Sequence, residues 1–425
     1  MSSIAPAGYY AASSAPAPRF DSLSGTAACD FCIVGGGYTG LSAALHLAGA
    51  GQRPWLLEAN TIGFQASGRN GGQIHSGHRK SQTALERWLG RLHARDLWSL
   101  SEEATLLVRD LIARHDIDCD FAPLGIISAA HDKSAARQLR DDAEHLDREY
   151  GHRLTVLDAN EIASRVGTDK YVGGTYDGSG GHLHPLKFAR GLAAAASRAG
   201  AVLYENSRVV RVVQTSPSRT RINTAEAQLT ARHVILACDA FSGDVIPALR
   251  SYIGHVESFI VATEPLRERA AAILPCNAAV ADTRHVLDYF RKSPDGRLLF
   301  GGRESYFWPP KDIARFVRPR MGRVFPALAD KEIEFAWQGT VGITVTRMPH
   351  FGRLGEYMLF AHGYSGHGVA LSVLAGKLLA EACLGRSEGF DVFARVPAKP
   401  FPGGSFLRRP LIAGALAWYK IADAF

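Results

Sequence analysis

The chain has 425 residues, 46% of them hydrophobic, and a formal net charge of +7, as expected for a large globular protein with one domain or two interleaved domains. Its basic residues are scattered and no block of five lysines or arginines occurs, so nucleic-acid binding is not expected. The positive charge mildly favours an anionic substrate or cofactor.

No apolar run reaches the length of about 18 residues that a membrane-spanning helix needs. Residues 1–28 lack a basic segment followed by an apolar core, so we expect an extended arm that docks on the body or stays loose, and not a secretory signal. The six cysteines form no disulfide pattern, which indicates a cytoplasmic protein. Cys29 and Cys32 fall on or beside the first strand, where we expect them to pack and not to act in redox chemistry.

The first structural signal is a buried strand at Phe31–Val34, followed by a glycine turn and a helix over residues 38–51. Gly35 permits the tight turn, Gly37 lets bare backbone approach a pyrophosphate, and Gly40 lets the helix pack close to the strand. Phosphates then bind the unpaired N–H groups at the helix N-terminus.

A second strand, Pro54–Glu58, ends in a carboxylate 18 residues after Gly40, where a ribose-binding acid is expected. The loop Gly63–Gln73 follows and is rich in glycine and hydrogen-bond donors. We expect it to wrap the pyrophosphate or the ring system. Together these segments predict a dinucleotide site.

Helical and strand patterns alternate over the next part of the chain. The predicted elements are helix Trp88–His115, strand Cys119–Ala129, helix Lys133–Tyr150, a helix start at Asp158, helix Leu186–Arg198, and strands Val202–Tyr204, Val209–Val213 and Arg232–Cys238. His182 and His184 have the i, i+2 spacing of a strand-borne metal pair, but no further ligand lies nearby at metal spacing. We therefore predict no metal, and a polar strand edge or site wall.

Short β-rich pieces from residue 247 to about 339 predict a separate, largely antiparallel sheet. The pieces are His255–Thr263, Ala278–Asp282, Val286–Lys292, Arg297–Gly302 and Ile333–Gln338, with one helix at Lys311–Phe325. Aromatic and basic residues gather in this region: Tyr289, Phe290, Arg291, Arg303, Tyr306, Phe307, Trp308 and Trp337. They suit a ligand-pocket wall and a core face equally well.

The C-terminal part repeats the pattern of the first motif. Strand Tyr357–Ala361 leads into the glycine-rich turn His362–Gly368 and the helix Val369–Leu384. The N-terminus of this helix would stabilise negative charge on an electron-accepting ring. A last apolar helix at Leu411–Ile421 is too short to span a bilayer, and would dock on the body, on a second subunit or on a membrane surface.

With these motifs the chain resembles the FAD-dependent oxidoreductases of the D-amino-acid oxidase superfamily, and within it the γ-glutamylputrescine oxidases. The resemblance rests on YYAASSAPAP, VGGGYTGLSAAL, GFQASGRNGGQI and HGYSGHGVALSVLAGKLLAEA. It implies a mixed α/β fold: a Rossmann-like FAD-binding domain with an interleaved, largely antiparallel β-sheet substrate domain. The implied division is an arm at 1–28, FAD-binding segments at 29–115, 166–245 and 341–390, substrate segments at 116–165 and 246–340, and a tail helix at 391–425.

The resemblance also implies roles for individual residues. Gly35, Gly37, Tyr38, Thr39 and Gly40 would hold the FAD pyrophosphate, and Glu58 with Ala59 would bind the adenosine ribose. The remaining cofactor contacts would be Ser67, Gly68, Arg69, Asn70, Gly71, Gly72 and Gln73 along the diphosphate and flavin edge, Val209 at adenine, Cys238, Asp239 and Phe241 at the second phosphate side, and Gly363, Tyr364, Ser365, Gly366, His367 and Gly368 at the flavin pyrimidine.

The implied reaction is oxidation of a small-molecule primary amine. A hydride equivalent passes from the neutral amine to the flavin, water hydrolyses the imine to aldehyde and ammonia, and oxygen reoxidises the flavin to give hydrogen peroxide. The residues expected near the reacting amine are His75, Tyr289 and Trp337 as catalytic candidates, and Arg291, Arg303 and Tyr364 as substrate contacts. Oxidation of a secondary amine or amino acid, and an electron-relay subunit, are the alternatives.

Two departures from related sarcosine oxidases carry further expectations. Those enzymes tether FAD to a cysteine in a segment that corresponds to Gly339–Pro349, and this segment has no cysteine, so we predict non-covalent FAD. They also keep an oxygen-activating lysine near the strand that here reads Leu298–Phe300, and none is present. Either Arg303 or another cation performs that role, or the reaction with oxygen is slow, so oxidase and dehydrogenase both stay open.

Overall fold

Two eight-stranded sheets organise the fold, and a two-stranded sheet joins loops between them. The structure is a computed structural model and describes residues 8–16, 18–305, 310–404 and 414. Apart from residue 414, the predicted tail helix Leu411–Ile421 therefore lies outside the described residues, as do the aromatic residues Tyr306, Phe307 and Trp308. Among the described helices, none combines the length and apolar character needed to cross a membrane.

The strands are β1 Gly25–Val34, β2 Trp55–Leu57, β3 Gln73–Ile74, β4 Ile126–Ala130, β5 Thr155–Leu157, β6 Gly173–Asp177, β7 Gly181–His182, β8 Val202–Tyr204, β9 Arg211–Ser216, β10 Arg219–Asn223, β11 Ala227–Leu236, β12 Gly254–Thr263, β13 Ala279–Asp282, β14 Tyr289–Lys292, β15 Leu298–Ser305, β16 Ile333–Ile343, β17 His350–Arg353 and β18 Met358–His362. The helices are α1 Tyr9–Ala12, α2 Tyr38–Gly49, α3 Gln82–Leu89, α4 Arg91–His115, α5 Lys133–Tyr150, α6 Ala159–Val166, α7 Pro185–Arg198, α8 Ser242–Val245, α9 Ile313–Val324, α10 Val369–Cys383 and α11 Glu388–Ala394.

The first sheet has the order β17-β18-β11-β1-β2-β8, and the hairpin β9–β10 pairs with β11. The pairs among β18, β11, β1, β2 and β8 are parallel, as in a doubly wound dinucleotide-binding fold. Phe31 and Ile33 of β1 pack on the helix side, while Cys32 and Val34 pack in a second cluster on the opposite face. The predicted strand is thus buried on both faces.

The two early cysteines take the predicted packing role. Cys32 is fully buried and Cys29 packs against the same cluster. Burial raises the pKa of the Cys29 thiol to about 12, which keeps it protonated and unreactive at neutral pH.

The second sheet has the order β16-β12-β15-β14-β13-β4-β6-β5, and its pairs are antiparallel apart from β4 with β13. This confirms the predicted antiparallel character. The division of the chain differs in detail: β6 pairs with β4 and β5 in this sheet, although residues 166–245 were assigned to the FAD-binding domain. β16 likewise continues past the predicted boundary at residue 340. Strand pairing, which depends on distant partners, sets both boundaries.

Several predicted elements have different bounds in the structure, and three of them show why. The helix expected at Trp88–His115 is two helices, α3 and α4, because Gly90 between them has φ 87°, which an α-helix does not accommodate. The strand expected at Cys119–Ala129 forms only as β4, since Gly125 turns the chain with φ 76°. The strand expected from Val209 begins two residues later, as β9.

The described part of the N-terminal arm docks on the body. It forms the short helix α1, whose Tyr9 and Tyr10 are both buried. The Tyr10 hydroxyl donates to the carbonyl of Asn70 at 2.8 Å, and its ring lies edge-on to Trp337. The arm therefore supports the back of the glycine-rich loop at residues 63–73.

Helices α2 and α10 cross in very close contact. A Cβ added at Gly376 of α10 would lie 2.3 Å from the carbonyl oxygen of Thr39 and 2.6 Å from Cβ of Ser42 in α2. The Ser42 hydroxyl also donates to the carbonyl of Val373 at 2.6 Å. The glycine lets the two backbones meet, which brings the N-termini of both helices to one place.

We expect Gly376→Ala to destabilise the protein by about 1–3 kcal/mol or more, because one of the two helices has to move. Urea unfolding measures the change. The matched control is Gly322→Ala in the interior of α9, where the nearest atom is 3.6 Å away and the substitution should be neutral or stabilise by up to about 1 kcal/mol. Equal effects of the two substitutions would contradict the close contact.

Candidate active site

A cavity of about 980 Å³ lies between the two sheets. Its wall combines the glycine turn after β1, the loop at residues 63–73, the turn before α10 and strands of the antiparallel sheet. A volume of this size is at the upper end of what cofactor and small-molecule sites have. The dinucleotide motif and the antiparallel sheet therefore contribute to one site.

The glycine turn has the geometry that the sequence predicts. Gly35 has φ 114°, and a Cβ there would lie 2.5 Å from the carbonyl oxygen of Ala237. A Cβ at Gly40 would lie 1.9 Å from the carbonyl oxygen of Gly35. Gly37 faces the cavity, and its Cβ would fill the space beside Ser67 Oγ at 2.8 Å. Each glycine is thus required by a close backbone or side-chain neighbour.

Glu58 closes the nucleotide end of the cavity. Its carboxylate accepts hydrogen bonds from the backbone N–H groups of Gly36 at 2.7 Å and Asn60 at 2.8 Å. Burial raises the pKa of this carboxyl, and the two N–H donors act in the opposite direction. Ala59, Val209 and Cys238 line the same end.

Asp239 ties three separate segments together. Its carboxylate accepts hydrogen bonds from the N–H groups of Gly342 at 3.0 Å and Gly363 at 2.8 Å, although burial raises its pKa. Its backbone has φ 41°, a left-handed value that is uncommon for a residue with a side chain. Asp239 therefore ties the end of β16, in the second sheet, to the end of β18, in the first sheet. Phe241 also lines the cavity here.

The loop at residues 63–73 is shaped by its own side chains. Ser67 Oγ accepts from the N–H of Tyr38 at 3.0 Å. The Asn70 side chain donates to the carbonyl of Ala66 at 2.9 Å and accepts from the N–H of Gly72 at 2.7 Å. These bonds hold the loop over the N-terminus of α2.

Two longer side chains attach this loop to the second sheet. Arg69 donates to the carbonyl of Gln338 at 3.1 Å, and Gln73 donates to the carbonyl of Val280 at 2.9 Å. The loop is therefore anchored at both ends before any ligand binds.

The turn before α10 meets the first motif directly. The hydroxyls of Tyr364 and Thr39 lie 2.7 Å apart, and both side chains are buried. The N-cap residues of α2 and α10 are Gly37 and Gly368, neither of which has a side chain that could cap its helix. Ser67 binds the N–H of Tyr38, and the other N–H groups at these two helix N-termini border one cavity, which suits a long anionic ligand.

The imidazoles of His75 and His367 meet in the cavity, with ring centroids 4.1 Å apart at 74°. Burial lowers the pKa of both, so both rings are neutral at neutral pH. Tyr289 also lines the cavity; its hydroxyl is 3.1 Å from Ser258 Oγ, and a Cβ at Gly71 would lie 3.0 Å from its ring.

Most of the predicted cofactor residues line this cavity: Gly35, Gly37, Tyr38, Thr39, Glu58, Ala59, Ser67, Arg69, Asn70, Gly71, Gly72, Gln73, Val209, Cys238, Asp239, Phe241, Tyr364, Ser365, Gly366, His367 and Gly368. Gly40, Gly68 and Gly363 do not line it and instead permit close packing; a Cβ at Gly68 would lie 2.1 Å from the carbonyl oxygen of Gly63. Arg303 also lines the cavity, with its guanidinium 4.6 Å from the centroid of the Phe316 ring.

Two predicted site residues lie behind the cavity wall instead. Trp337 is 2% exposed and donates from Nε1 to the carbonyl of Arg69 at 3.0 Å. Arg291 is 3% exposed and donates to the carbonyl of Gly71 at 2.7 Å and to the hydroxyl of Tyr10 at 3.2 Å. The assignments of Trp337 as catalytic and of Arg291 as a substrate contact are wrong; both support the loop from outside.

The predicted histidine pair is also structural. His182 Nε2 lies 3.0 Å from the carbonyl oxygen of Asn277, and His184 Nδ1 accepts from the N–H of Lys187 as the N-cap of α7. Neither imidazole lines the cavity.

Sequence reasoning missed several cavity residues, among them Arg79, Trp98, Asp177 and Arg347. Arg79 stands in the triplet His78-Arg79-Lys80, directly after the glycine-rich loop. That cluster of cationic side chains was a usable signal, whereas the other three come from distant elements with no local motif.

Comparison with known proteins agrees with this geometry. The family described as "DAO: FAD dependent oxidoreductase" matches residues 30–382. The chain belongs to this family, and it is an FAD-dependent oxidoreductase. It is 43% identical over 418 residues to Gamma-glutamylputrescine oxidoreductase of Escherichia coli (strain K12), which covers 98% of this chain and 97% of that protein.

Other relatives are less similar. The chain is 39% identical to the Probable oxidoreductase OrdL of Rhizobium meliloti (strain 1021), over 98% of this chain and 97% of that one. Glycine oxidase from Geobacillus kaustophilus has the same fold, with a TM-score of 0.71, 23% identity, and coverage of 84% of this chain and 95% of that one. L-proline dehydrogenase from P. horikoshii also has this fold, with a TM-score of 0.72 and 18% identity. The match covers 87% of this chain and 96% of that one.

The hydroxyl pair Thr39–Tyr364 is open to a double-mutant test. We expect Thr39→Val and Tyr364→Phe each to cost about 1–3 kcal/mol, since each leaves a buried hydroxyl without its partner. The double variant should lose less than the sum, with a coupling of at least about 0.5 kcal/mol in urea unfolding. Strict additivity would show that the two hydroxyls do not interact.

Proposed function

We propose that this protein oxidises a primary amine that carries a γ-glutamyl group, such as γ-glutamylputrescine, to an aldehyde. The balanced reaction is R–CH2–NH2 + O2 + H2O → R–CHO + NH3 + H2O2. The observation that carries the proposal is the 43% identity to Gamma-glutamylputrescine oxidoreductase of Escherichia coli (strain K12), over nearly the full length of both chains. A cytoplasmic location stays a prediction from the sequence.

In this proposal FAD occupies the cavity along its length. In this proposal Glu58 accepts hydrogen bonds from the ribose, and the uncapped N-termini of α2 and α10 bind the pyrophosphate and the flavin pyrimidine. The remaining predicted cofactor residues that line the cavity contact the groups between these ends. When bound, FAD supplies the two-electron acceptor for the oxidation.

The chain's own residues prepare the amine. Only the neutral amine can release a hydride equivalent, so the substrate ammonium has to lose a proton first. The ammonium loses that proton to water, and His75 lies in the cavity with its imidazole neutral, so it adds no positive charge beside the amine. The Tyr289 ring, placed against Gly71, forms the wall that positions the amine and excludes water.

Anaerobic mixing with γ-glutamylputrescine should bleach the flavin absorbance of the holoenzyme. Re-admission of air should then restore the colour and release hydrogen peroxide in proportion to substrate. Putrescine, sarcosine and D-amino acids serve as comparison substrates. Bleaching by free amino acids alone would overturn the γ-glutamyl assignment, and bleaching without peroxide would identify a dehydrogenase that uses another acceptor.

We also propose that FAD is held without a covalent bond. Among the described residues that line the cavity, the one cysteine is Cys238. Its thiol donates to the carbonyl of Val34 at 3.3 Å, and burial raises its pKa to about 12, so it offers no thiolate.

Acid precipitation should therefore release all the yellow flavin into the supernatant, where its absorbance is measured. Flavin that stays in the washed pellet would contradict the proposal.

A further inference from the structure

Two arginines project into the cavity without a partner. Among the residues that the structure describes, none forms a hydrogen bond or an ion pair with the side chain of Arg79 or of Arg347. Other cavity arginines differ: Arg69 donates to two backbone carbonyls, and Arg284 forms an ion pair with Asp282. A guanidinium carries five N–H donors, so these two cavity-lining side chains can each still bind an anion.

Arg79 and Arg347 act on the same part of the cavity. Arg79 lines the cavity with an exposed side chain, and burial by the surrounding protein lowers its pKa. The positive charge of Arg347 lowers that pKa further, which places the two guanidinium groups within electrostatic reach. Arg347 lies in the turn after β16, with a left-handed backbone at φ 63°.

Neighbouring acids compensate this charge only from a distance. Glu304 and Asp282 raise the pKa of Arg79 through space. Asp282 already binds Arg284 and accepts from the N–H of Asp288 at 3.0 Å. An anion between the two guanidinium groups would remove their mutual repulsion and satisfy their donors, which neither acid does.

We propose that Arg79 and Arg347 form a carboxylate-binding subsite for the end of the substrate that does not react. The proposal rests on the function proposed above and adds to it the reason for substrate selection. The acids that influence Arg79 belong to β13 and β15 of the antiparallel sheet, whereas the nucleotide motif belongs to the other sheet. A γ-glutamyl amine carries an α-carboxylate that this pair binds, whereas a free diamine carries none.

The test compares two substrates and three variants of the holoenzyme. The substrates are γ-glutamylputrescine and N-(4-aminobutyl)-4-aminobutanamide, which differ only in the α-carboxylate. The variants are Arg79→Gln, Arg347→Gln and, as a control with the same loss of charge, Arg87→Gln on the exposed surface of α3. We expect KM for γ-glutamylputrescine to rise about tenfold or more in the first two variants, with kcat little changed.

A measurement of carboxylate binding complements the kinetic comparison. Glutarate should perturb the flavin absorbance of the wild type and of Arg87→Gln, with an affinity at least about tenfold weaker in Arg79→Gln and Arg347→Gln. Arg79→Lys keeps the charge but not the two-pronged geometry, and should fall between them. FAD content should be the same in all of these proteins.

Each result has a distinct meaning. Equal kcat/KM of the wild type for the two substrates, or unchanged KM in Arg79→Gln and Arg347→Gln, would overturn the subsite while the amine oxidation stands. Loss of FAD from these variants would also overturn it, since the pair would then hold the cofactor. If γ-glutamylputrescine fails to bleach the wild type, the proposed function fails, and glutarate binding still decides whether the subsite exists.

Discussion

The close crossing of α2 and α10 is the contact on which the rest of the site depends. Gly376 lets the two helices approach until the Thr39 and Tyr364 hydroxyls lie 2.7 Å apart. The helices are 331 residues apart along the chain at their first residues, Tyr38 and Val369, yet both begin at one cavity. Their dipoles then add, so the cavity presents positive partial charge at two points. A ligand with negative charge at separated positions is what such a site stabilises.

Buried carboxylates shape the same site from within. Glu58 and Asp239 each accept two backbone N–H groups from loops that would otherwise leave those donors unsatisfied. Burial raises the pKa of both acids, so this arrangement carries an electrostatic cost that the N–H donors offset. The benefit is a cavity whose walls are in place before any ligand binds, which reduces the ordering needed on binding.

Prediction from sequence worked where structure depends on local backbone chemistry. The glycine turn at Gly35–Gly40, the acid Glu58 and the turn before α10 lie in the predicted local structure beside the cavity, because a strand, a glycine turn and a helix leave a continuous local pattern. It failed for Trp337 and Arg291, because the local sequence pattern around an aromatic or basic residue on a strand is the same whether the side chain faces a cavity or a core. The break at Gly90 was also missed, because its apolar pattern continues across it.

The sequence by itself indicated a dinucleotide site and, by resemblance, the family and its cofactor, because glycine spacing and hydrophobic periodicity act over a few residues. Only the tertiary structure decided which side chains meet in the cavity. The rings of His75 and His367 are in contact, and the charge of Arg347 acts on Arg79, although the residues of each pair are hundreds of positions apart in the sequence. Packing between the two sheets determines which of these side chains are close together. That packing depends on residues far apart in the sequence, so no local pattern predicts it.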